Sequence, residues 1–431
     1  MPARRPNKLT IRTYQVGFGD CFLLSFHYPA GDGGSHDRHL LIDFGSTHSK
    51  RGMKSNFLTR IAEDIKTVTN GKLHAVLATH RHKDHISGFA TNAKKNAPGD
   101  IIASLKPDLV IQPWTEDPDA VTNAKLPTRT LTGSQAFVRS LAGMNAFAEG
   151  LVKDQNHLKR TVGSRRLKEL SFLGENNLRN ASAVKNLMRM GSAGRAAYVQ
   201  FGSDSGLASV LPGVRASVLG PPTLEQSEAI RTQRARDEAE FWHLQAASKT
   251  RFTSRGTKLF PRARMLASKP AYTHWLIKRV DTASAEQLFQ IVRILDDAMN
   301  NTSVILLLEV GKTKLLFPGD AQIEYWSFAL SKAKVRQQLQ TVAVYKVGHH
   351  GSLNATPKSL WESFRRRSSD GSNATRLRTF MSTCPGVHGS PQRNTEVPRR
   401  KLKEALQKES QLVTTDEISG DTLCHLESIA L

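Results

Sequence analysis

The stretch Thr79-His80-Arg81-His82-Lys83-Asp84-His85 directly follows Leu73 to Ala78, an apolar run with the pattern of a buried strand. Three histidines and one carboxylate therefore stand close together at the point where a strand passes into a loop. Imidazole and carboxylate groups are ligands that suit Zn²⁺, Mn²⁺ or Fe²⁺. The stretch predicts a metal site built around His80, His82, Asp84 and His85.

The sequence on either side of this stretch alternates between strand and helix patterns. Leu9 to Val16 and Cys21 to Phe26 predict a β-hairpin, and His39 to Phe44 predicts a further buried strand. Apolar residues at helical spacing predict a helix over Ser55 to Val68, and Pro107 to Pro113 has the pattern of another buried strand. This order of elements is typical of an α/β fold.

The middle of the chain interrupts that pattern. Residues 126–298 are basic and mostly helical in periodicity, with a short β-like return near 197–222. Strand patterns resume in 299–431, where Gly311-Lys312 predicts a tight hairpin turn, followed by a helix near 323–339. We therefore expect 1–125 and 299–431 to form the two halves of one core, with 126–298 as helical insertions.

The composition indicates a globular protein with an anionic partner. The 431 residues include 61 Lys and Arg against 38 Asp and Glu, a formal net charge of +23. Such an excess attracts polyanions, of which nucleic acid is the commonest, although a basic surface without a dedicated partner is the alternative. No apolar run is long enough for a bilayer and no signal peptide is recognisable, so we expect no membrane partner and a cytoplasmic location.

The three cysteines, Cys21, Cys384 and Cys424, are widely separated and form no C-x-x-C pair. They favour neither a disulfide framework nor a thiolate zinc site. A bound metal would therefore depend on nitrogen and oxygen ligands.

The H-x-H-x-D-H pattern at 80–85 resembles the signature of the metallo-β-lactamase superfamily. Further runs resemble, in order, the branch that includes the C-terminal domain of the ComEC competence protein: Val-Gly-Phe-Gly-Asp-Cys at 16–21, Leu-Ile-Asp-Phe-Gly at 41–45, Asn-Asn-Thr-Ser-Val at 300–304, Phe-Pro-Gly-Asp-Ala at 317–321 and Lys-Val-Gly-His-His-Gly-Ser at 346–352. The likeness spans roughly the first quarter and the last third of the chain. It implies a four-layer αββα metallo-β-lactamase fold carrying basic helical insertions.

The resemblance also implies roles for individual residues. His80 and His82 resemble ligands of a first metal, Asp84 and His85 resemble ligands of a second, and Asp320 resembles the carboxylate that bridges both ions. We expect one or two ions of Zn²⁺ or Mn²⁺.

One of His349 and His350 is expected to complete the second site, and adjacent side chains at a strand end point to opposite faces, so the sequence does not choose between them. Many superfamily members have a further histidine that completes the first site. Here the corresponding interval contains only His157, His243 and His274, in the predicted insertions, where ordinary side chains are the simpler interpretation. The first metal is therefore expected to be under-coordinated, labile or absent.

The predicted catalytic residues are Asp84, Asp320, His350 and Lys346. Lys346, together with Ser352 and Asn354, is a candidate for contacting anionic substrate oxygens, although a solvated lysine at a strand edge explains Lys346 equally well. His388 lies in a loop where the ComEC-like branch also tends to carry a histidine, and it is a further candidate for substrate binding.

The superfamily hydrolyses lactams, thioesters, lactones and phosphodiesters, so the resemblance alone does not select a substrate. The branch is associated with DNA degradation, and together with the positive charge this favours a metal-dependent nuclease or phosphodiesterase acting on DNA. Basic residues of 160–179 and 231–264 are candidates for a phosphate-binding groove. The alternatives are a hydrolase of a lactone, cyclic nucleotide or small phosphoester, and a basic nucleic-acid-binding protein with a vestigial metal site.

Overall fold

The computed structural model describes residues 5–29, 37–117, 180–223, 226–227, 302–352, 356–393, 396–419 and 421–431. Apart from residues 226 and 227, these fall within one compact unit drawn from 1–119, 179–223 and 299–431. Most of the predicted insertions, with the basic residues of 160–179 and 231–264, lie outside the described residues.

The first sheet has seven strands, which are β1 (Lys8–Tyr14), β2 (Cys21–His27), β3 (Arg38–Phe44), β4 (Ala75–Leu77), β5 (Leu109–Pro113), β6 (Ala196–Val199) and β13 (Cys424–Ala430). Their spatial order is β13-β1-β2-β3-β4-β5-β6. Neighbours from β13 to β3 are antiparallel, and neighbours from β3 to β6 are parallel. The sheet is therefore mixed, and β1 and β2 form the predicted hairpin.

The second sheet has six strands, which are β7 (Val214–Gly220), β8 (Ile305–Val310), β9 (Thr313–Phe317), β10 (Val342–Lys346), β11 (Arg378–Met381) and β12 (Gln411–Thr414). They follow the order β12-β11-β10-β9-β8-β7. Strands β7, β8 and β9 are antiparallel neighbours, whereas β9 to β12 are parallel. Two mixed sheets with intervening helices make the chain an α/β protein, as the sequence predicts.

The described residues contain nine α-helices, which are α1 (Phe57–Val68), α2 (Lys83–Ile86), α3 (Pro98–Ser104), α4 (Ala181–Ala193), α5 (Leu207–Val210), α6 (Ile323–Ser331), α7 (Ala333–Leu339), α8 (Lys358–Ser363) and α9 (Arg400–Glu409). The single helix predicted near 323–339 is two helices, because Lys332 between them has extended backbone angles. None of the helices in these ranges has the length and apolarity needed to cross a membrane.

The two sheets pack against each other through their apolar inner faces. Phe22 of β2 and Phe317 of β9 meet there with ring centroids 5.7 Å apart, inside a core to which both sheets contribute. Full burial of such a side chain contributes about 1.5–3 kcal/mol to folding. The outer face of the first sheet is covered by α1, α3 and α4, and that of the second sheet by α6, α7, α8 and α9.

Parallel strands in both sheets send their carboxyl ends into loops that carry the predicted site residues. The H-x-H-x-D-H stretch follows β4, Asp320 follows β9, and the His349-His350 pair follows β10. Ligand sites in α/β sheets form outside such strand ends, so the arrangement positions these loops for a shared site.

Two buried histidines, His39 of β3 and His74 just before β4, make the stability of the protein depend on pH. The backbone N–H of His39 donates to Nδ1 of His74 at 3.1 Å, and Ser25 Oγ lies 2.9 Å from His39 Nδ1. Burial lowers the pKa of both imidazoles to about 4, so the folded protein keeps them neutral. The unfolded chain protonates these histidines near pH 6.5, whereas the folded protein does not do so until about pH 4. The free energy of unfolding is therefore at its full value above pH 6.5 and falls as the pH decreases towards 4, by about 1.4 kcal/mol per pKa unit of difference.

We therefore expect the free energy of unfolding, measured by urea titration, to fall less steeply between pH 6.5 and 4 in His74→Asn than in the wild type. Asparagine keeps an acceptor for the His39 N–H but does not titrate in this range. Identical pH slopes for the two proteins would contradict the prediction.

Candidate metal centre

Four buried side chains converge at the ends of the strands. Asp84 and His85 from α2, Asp320 after β9 and His350 after β10 each offer a ligand atom, and these atoms all lie within 4.8 Å of one another. The group joins a loop of the first sheet to two loops of the second. It is the set predicted for the second metal, with His350 as its fourth member, and it could hold a metal ion.

Hydrogen bonds made just after β4 position the part of the chain that leads to Asp84 and His85. The backbone N–H and the hydroxyl of Thr79 donate to the two carboxylate oxygens of Asp43, at 2.7 and 2.8 Å. The short helix α2 then begins after His82, whose carbonyl accepts the N–H of His85. Asp43 thus anchors the exit of the strand, and one helical turn brings Asp84 and His85 into the buried interior.

Two glycines allow the loops to approach closely. A Cβ on Gly45 would lie 2.5 Å from the backbone carbonyl carbon of Asp84, which leaves no room for a side chain. Gly319 has φ +55, and a Cβ there would lie 2.8 Å from the Cβ of Thr79. Glycine tolerates both the left-handed backbone and the crowding, so the turn before Asp320 packs directly on the loop after β4.

The distances within the group fit a shared cation. His85 Nε2 lies 3.0 Å from Asp320 Oδ2, and His350 Nε2 lies 3.1 Å from Asp84 Oδ2. Within the described residues, neither His85 Nε2 nor Asp320 Oδ2 has a hydrogen-bond partner of acceptable geometry, although both atoms are buried. Buried polar atoms are rarely left in this state, and a divalent ion would satisfy both. Two imidazoles and two carboxylates fit both Zn²⁺ and Mn²⁺.

The far nitrogen of each imidazole in the group has a partner that orients the ring. Asp43 Oδ2 lies 2.8 Å from Nδ1 of His85, and the carbonyl oxygen of Ser382 lies 3.0 Å from Nδ1 of His350. These contacts turn both Nε2 atoms towards the group, which is the usual arrangement of metal-ligating histidines. These roles of Asp43 and Ser382 were not predicted from the sequence. The signals for Asp43 were its position at the end of a predicted strand and its place in the 41–45 motif.

The charges of the group compensate one another. Burial opposes ionisation of Asp84 and Asp320, yet the neighbouring imidazoles outweigh it and hold the pKa of both carboxyls below the ordinary value. Burial likewise disfavours charged imidazoles, but the surrounding carboxylates raise the pKa of His85 and His350. The carboxylates of the pocket therefore favour positive charge, which either protonated imidazoles or a bound divalent ion would supply.

The structure distinguishes the two adjacent histidines that the sequence left equivalent. His350 is fully buried and belongs to the group, whereas His349 has a side chain 27% exposed and an Nε2 3.8 Å from Asp320 Oδ2. The backbone N–H of His349 donates to Asp320 Oδ1 at 3.1 Å. Both histidines have a positive backbone φ, 41° and 55°, which is uncommon for residues other than glycine. This tight turn places one imidazole inward and the other towards the surface.

His80 and His82 are both buried, and His80 Nε2 lies 3.1 Å from His82 Nδ1. Among the described residues, neither His80 nor His82 belongs to a group of three or more potential ligand atoms that lie within 4.8 Å of one another. His157, His243 and His274 lie outside the described residues. The first metal therefore stays a prediction, with two of its ligands adjacent.

Lys346, at the end of β10, is buried with 1% exposure. Its ammonium forms an ion pair with Asp20, lies 3.6 Å from Asp320 Oδ1 and donates to the carbonyl of Gly319. Burial opposes its charge, but the carboxylates of Asp20 and Asp320 raise the pKa of Lys346. It is therefore not a solvated lysine, and its predicted role towards substrate stays a prediction. Asp20 lies in the 16–21 motif, but the resemblance implied no role for this individual residue.

The remaining predicted substrate-binding residues have different surroundings. The backbone N–H of Ser352 donates to the carbonyl of His349 at 2.9 Å, and Asn354 lies outside the described residues. His388 is partly buried, with its ring centroid 4.3 Å from that of Phe18, which lies 4.3 Å from His350. Burial lowers the pKa of His388 to about 4, so its imidazole is neutral near pH 7. His388 thus stands near the group but is not a member of it.

No protein-family model and no curated protein matches this chain. The resemblance to the metallo-β-lactamase superfamily therefore rests on the sequence motifs themselves. The geometry of the buried group supplies the independent support for metal binding.

The contrast between the two adjacent histidines can be tested directly. We expect His350→Ala to lose bound Zn²⁺ or Mn²⁺, because it removes a buried ligand, whereas His349→Ala should retain the ion. Metal content after gel filtration, measured by mass spectrometry, and the rise in melting temperature on adding metal should agree. Loss of metal from His349→Ala but not from His350→Ala would reverse the assignment.

Proposed function

We propose that this chain is a metal-dependent hydrolase with the four-layer αββα fold of the metallo-β-lactamase superfamily, acting on phosphodiester bonds of nucleic acid. The observation that carries the proposal is the buried group of Asp84, His85, Asp320 and His350. Its members come from separate loops in both halves of the core. The same residues stand in the motifs that resemble the superfamily.

The layer arrangement supports the fold assignment. Two mixed sheets face each other across an apolar core, and each has helices on its outer face. The group lies at the carboxyl ends of β4, β9 and β10. Catalytic residues of α/β proteins are commonly placed at such strand ends.

The chemistry proposed for the centre requires a cation with oriented ligands. A divalent ion bound there would act as a Lewis acid that lowers the pKa of water and polarises the oxygen of a scissile ester. Asp43 and the Ser382 carbonyl would hold His85 and His350 in fixed orientations for that role. The carboxylates of Asp84 and Asp320, which have lowered pKa values, would remain ionised.

The choice of nucleic acid rests on charge. The net charge of +23 would raise the local concentration of a polyanion and would make binding strongly dependent on salt. A lactone or an uncharged ester gains nothing from this charge. DNA is the favoured substrate because the motifs resemble a branch associated with its degradation.

We expect the wild type to cleave DNA in the presence of Mn²⁺ or Zn²⁺ and Asp84→Asn to show only background activity. The substitution keeps the shape of the side chain but removes the charge that a cation requires. Cleavage of labelled single-stranded DNA, duplex DNA and RNA should be compared with hydrolysis of bis(p-nitrophenyl) phosphate and a simple lactone, at low and high salt.

Asp204→Asn is the matched control, since it makes the same chemical change at an exposed aspartate and should retain full activity. Turnover of the small esters alone, unaffected by salt, would favour a small-molecule hydrolase. Binding of DNA without cleavage in any metal, by wild type and Asp84→Asn alike, would contradict the proposed hydrolase activity.

A further inference from the structure

We propose that the ammonium of Lys346 is a tethered cation that fills a second cation position beside the metal centre, between Asp20 and Asp320. Lys346 would act there as a positioning residue and would not contact substrate. The inference rests on the proposed metal-dependent function, because it concerns the residues that adjoin the ion.

A second group of close ligand atoms adjoins the first. Asp20, Asp43 and His85 are all buried, offer ligand atoms within 4.8 Å of one another, and share His85 with the metal centre. The two groups together place four carboxylates in one buried region, those of Asp20, Asp43, Asp84 and Asp320. One divalent ion in the first group would balance only part of that charge.

Asp43 does not depend on an added cation. It accepts hydrogen bonds from the backbone N–H and the hydroxyl of Thr79, and it lies 2.8 Å from His85 Nδ1. Within the part of the chain that the structure describes, Asp20 has no comparable set of donors. Its Oδ2 forms an ion pair with Lys346, and its carboxylate oxygens lie 3.6 Å from Nδ1 of His85 and of His350. Of the described residues, Lys346 therefore brings a positive charge closest to Asp20.

The ammonium of Lys346 has the surroundings of a bound cation. Three oxygens surround it, from the carboxylates of Asp20 and Asp320 and from the carbonyl of Gly319, the last at 3.3 Å. Oxygen groups of this kind are the ligands that hard divalent cations prefer. A buried lysine is costly unless it is paired, so these contacts account for its burial.

The two carboxylate oxygens of Asp320 have different neighbours. Oδ1 lies near the Lys346 ammonium, at 3.6 Å, and accepts the backbone N–H of His349. Oδ2 faces His85 and His350, at 3.0 and 3.7 Å. Lys346 would thus keep Oδ1 occupied and leave Oδ2 for the metal.

Three variants test this arrangement. Lys346→Met should bind one more Mn²⁺ per chain than the wild type, because the vacated position keeps its carboxylates. Asp20→Asn should bind Mn²⁺ at least about tenfold more weakly, since the ammonium would then rely on Asp320 for its charge. The double variant Asp20→Asn/Lys346→Met removes both partners and should return to the wild-type number of ions.

The number of ions per chain would be measured by mass spectrometry after gel filtration, and the affinity by calorimetric titration with Mn²⁺. Lys72→Met is the control, since it removes an ammonium that pairs with Asp108 at the surface and should change neither quantity.

A folded Lys346→Met with the wild-type number and affinity of ions would overturn the inference while leaving the metal centre intact. If Lys346→Met does not fold, Asp20→Asn decides: a tenfold weaker affinity supports the inference and an unchanged affinity overturns it. A wild type that binds no divalent ion would instead contradict the proposed function, and the inference with it.

Discussion

The constraint on which the site depends is the burial of four carboxylates, Asp20, Asp43, Asp84 and Asp320, in one region at the ends of the strands. Burying a carboxylate without compensation is costly, and like charges in proximity raise that cost further. Each carboxylate therefore has a specific source of compensation. Asp43 accepts hydrogen bonds from Thr79 and lies next to the His85 imidazole, and Asp20 forms an ion pair with Lys346. Imidazoles lie next to Asp84 and Asp320.

The fold makes this concentration of charge feasible by holding the loops on two rigid sheets. The apolar core between the sheets fixes β4 relative to β9 and β10, from which the ligand loops emerge. Close approaches at Gly45 and Gly319 then lock those loops together. A preorganised set of ligands loses little conformational entropy on binding a cation, so the core would contribute at a distance to the affinity for an ion bound there.

The orientation of each ligand depends on a neighbour that is distant in sequence. His85 relies on Asp43 of β3, and His350 relies on the carbonyl of Ser382 after β11. Lys346 likewise connects Asp20, before β2, with Asp320. The first two links each lie within one sheet, whereas the ion pair of Lys346 with Asp20 joins the two sheets. The position of Lys346 therefore depends on how the two sheets pack.

The sequence by itself determined the α/β class, the positions of the main strands and the ligand-rich stretch at 80–85, because each depends on local periodicity or on residues close along the chain. It also supplied Asp320 and the His349-His350 pair through their motifs. Only the tertiary structure decided that His350 faces the group and that Lys346 is buried against Asp20. Those outcomes depend on backbone turns with positive φ and on contacts between residues hundreds of positions apart, and local sequence carries no measure of such distances.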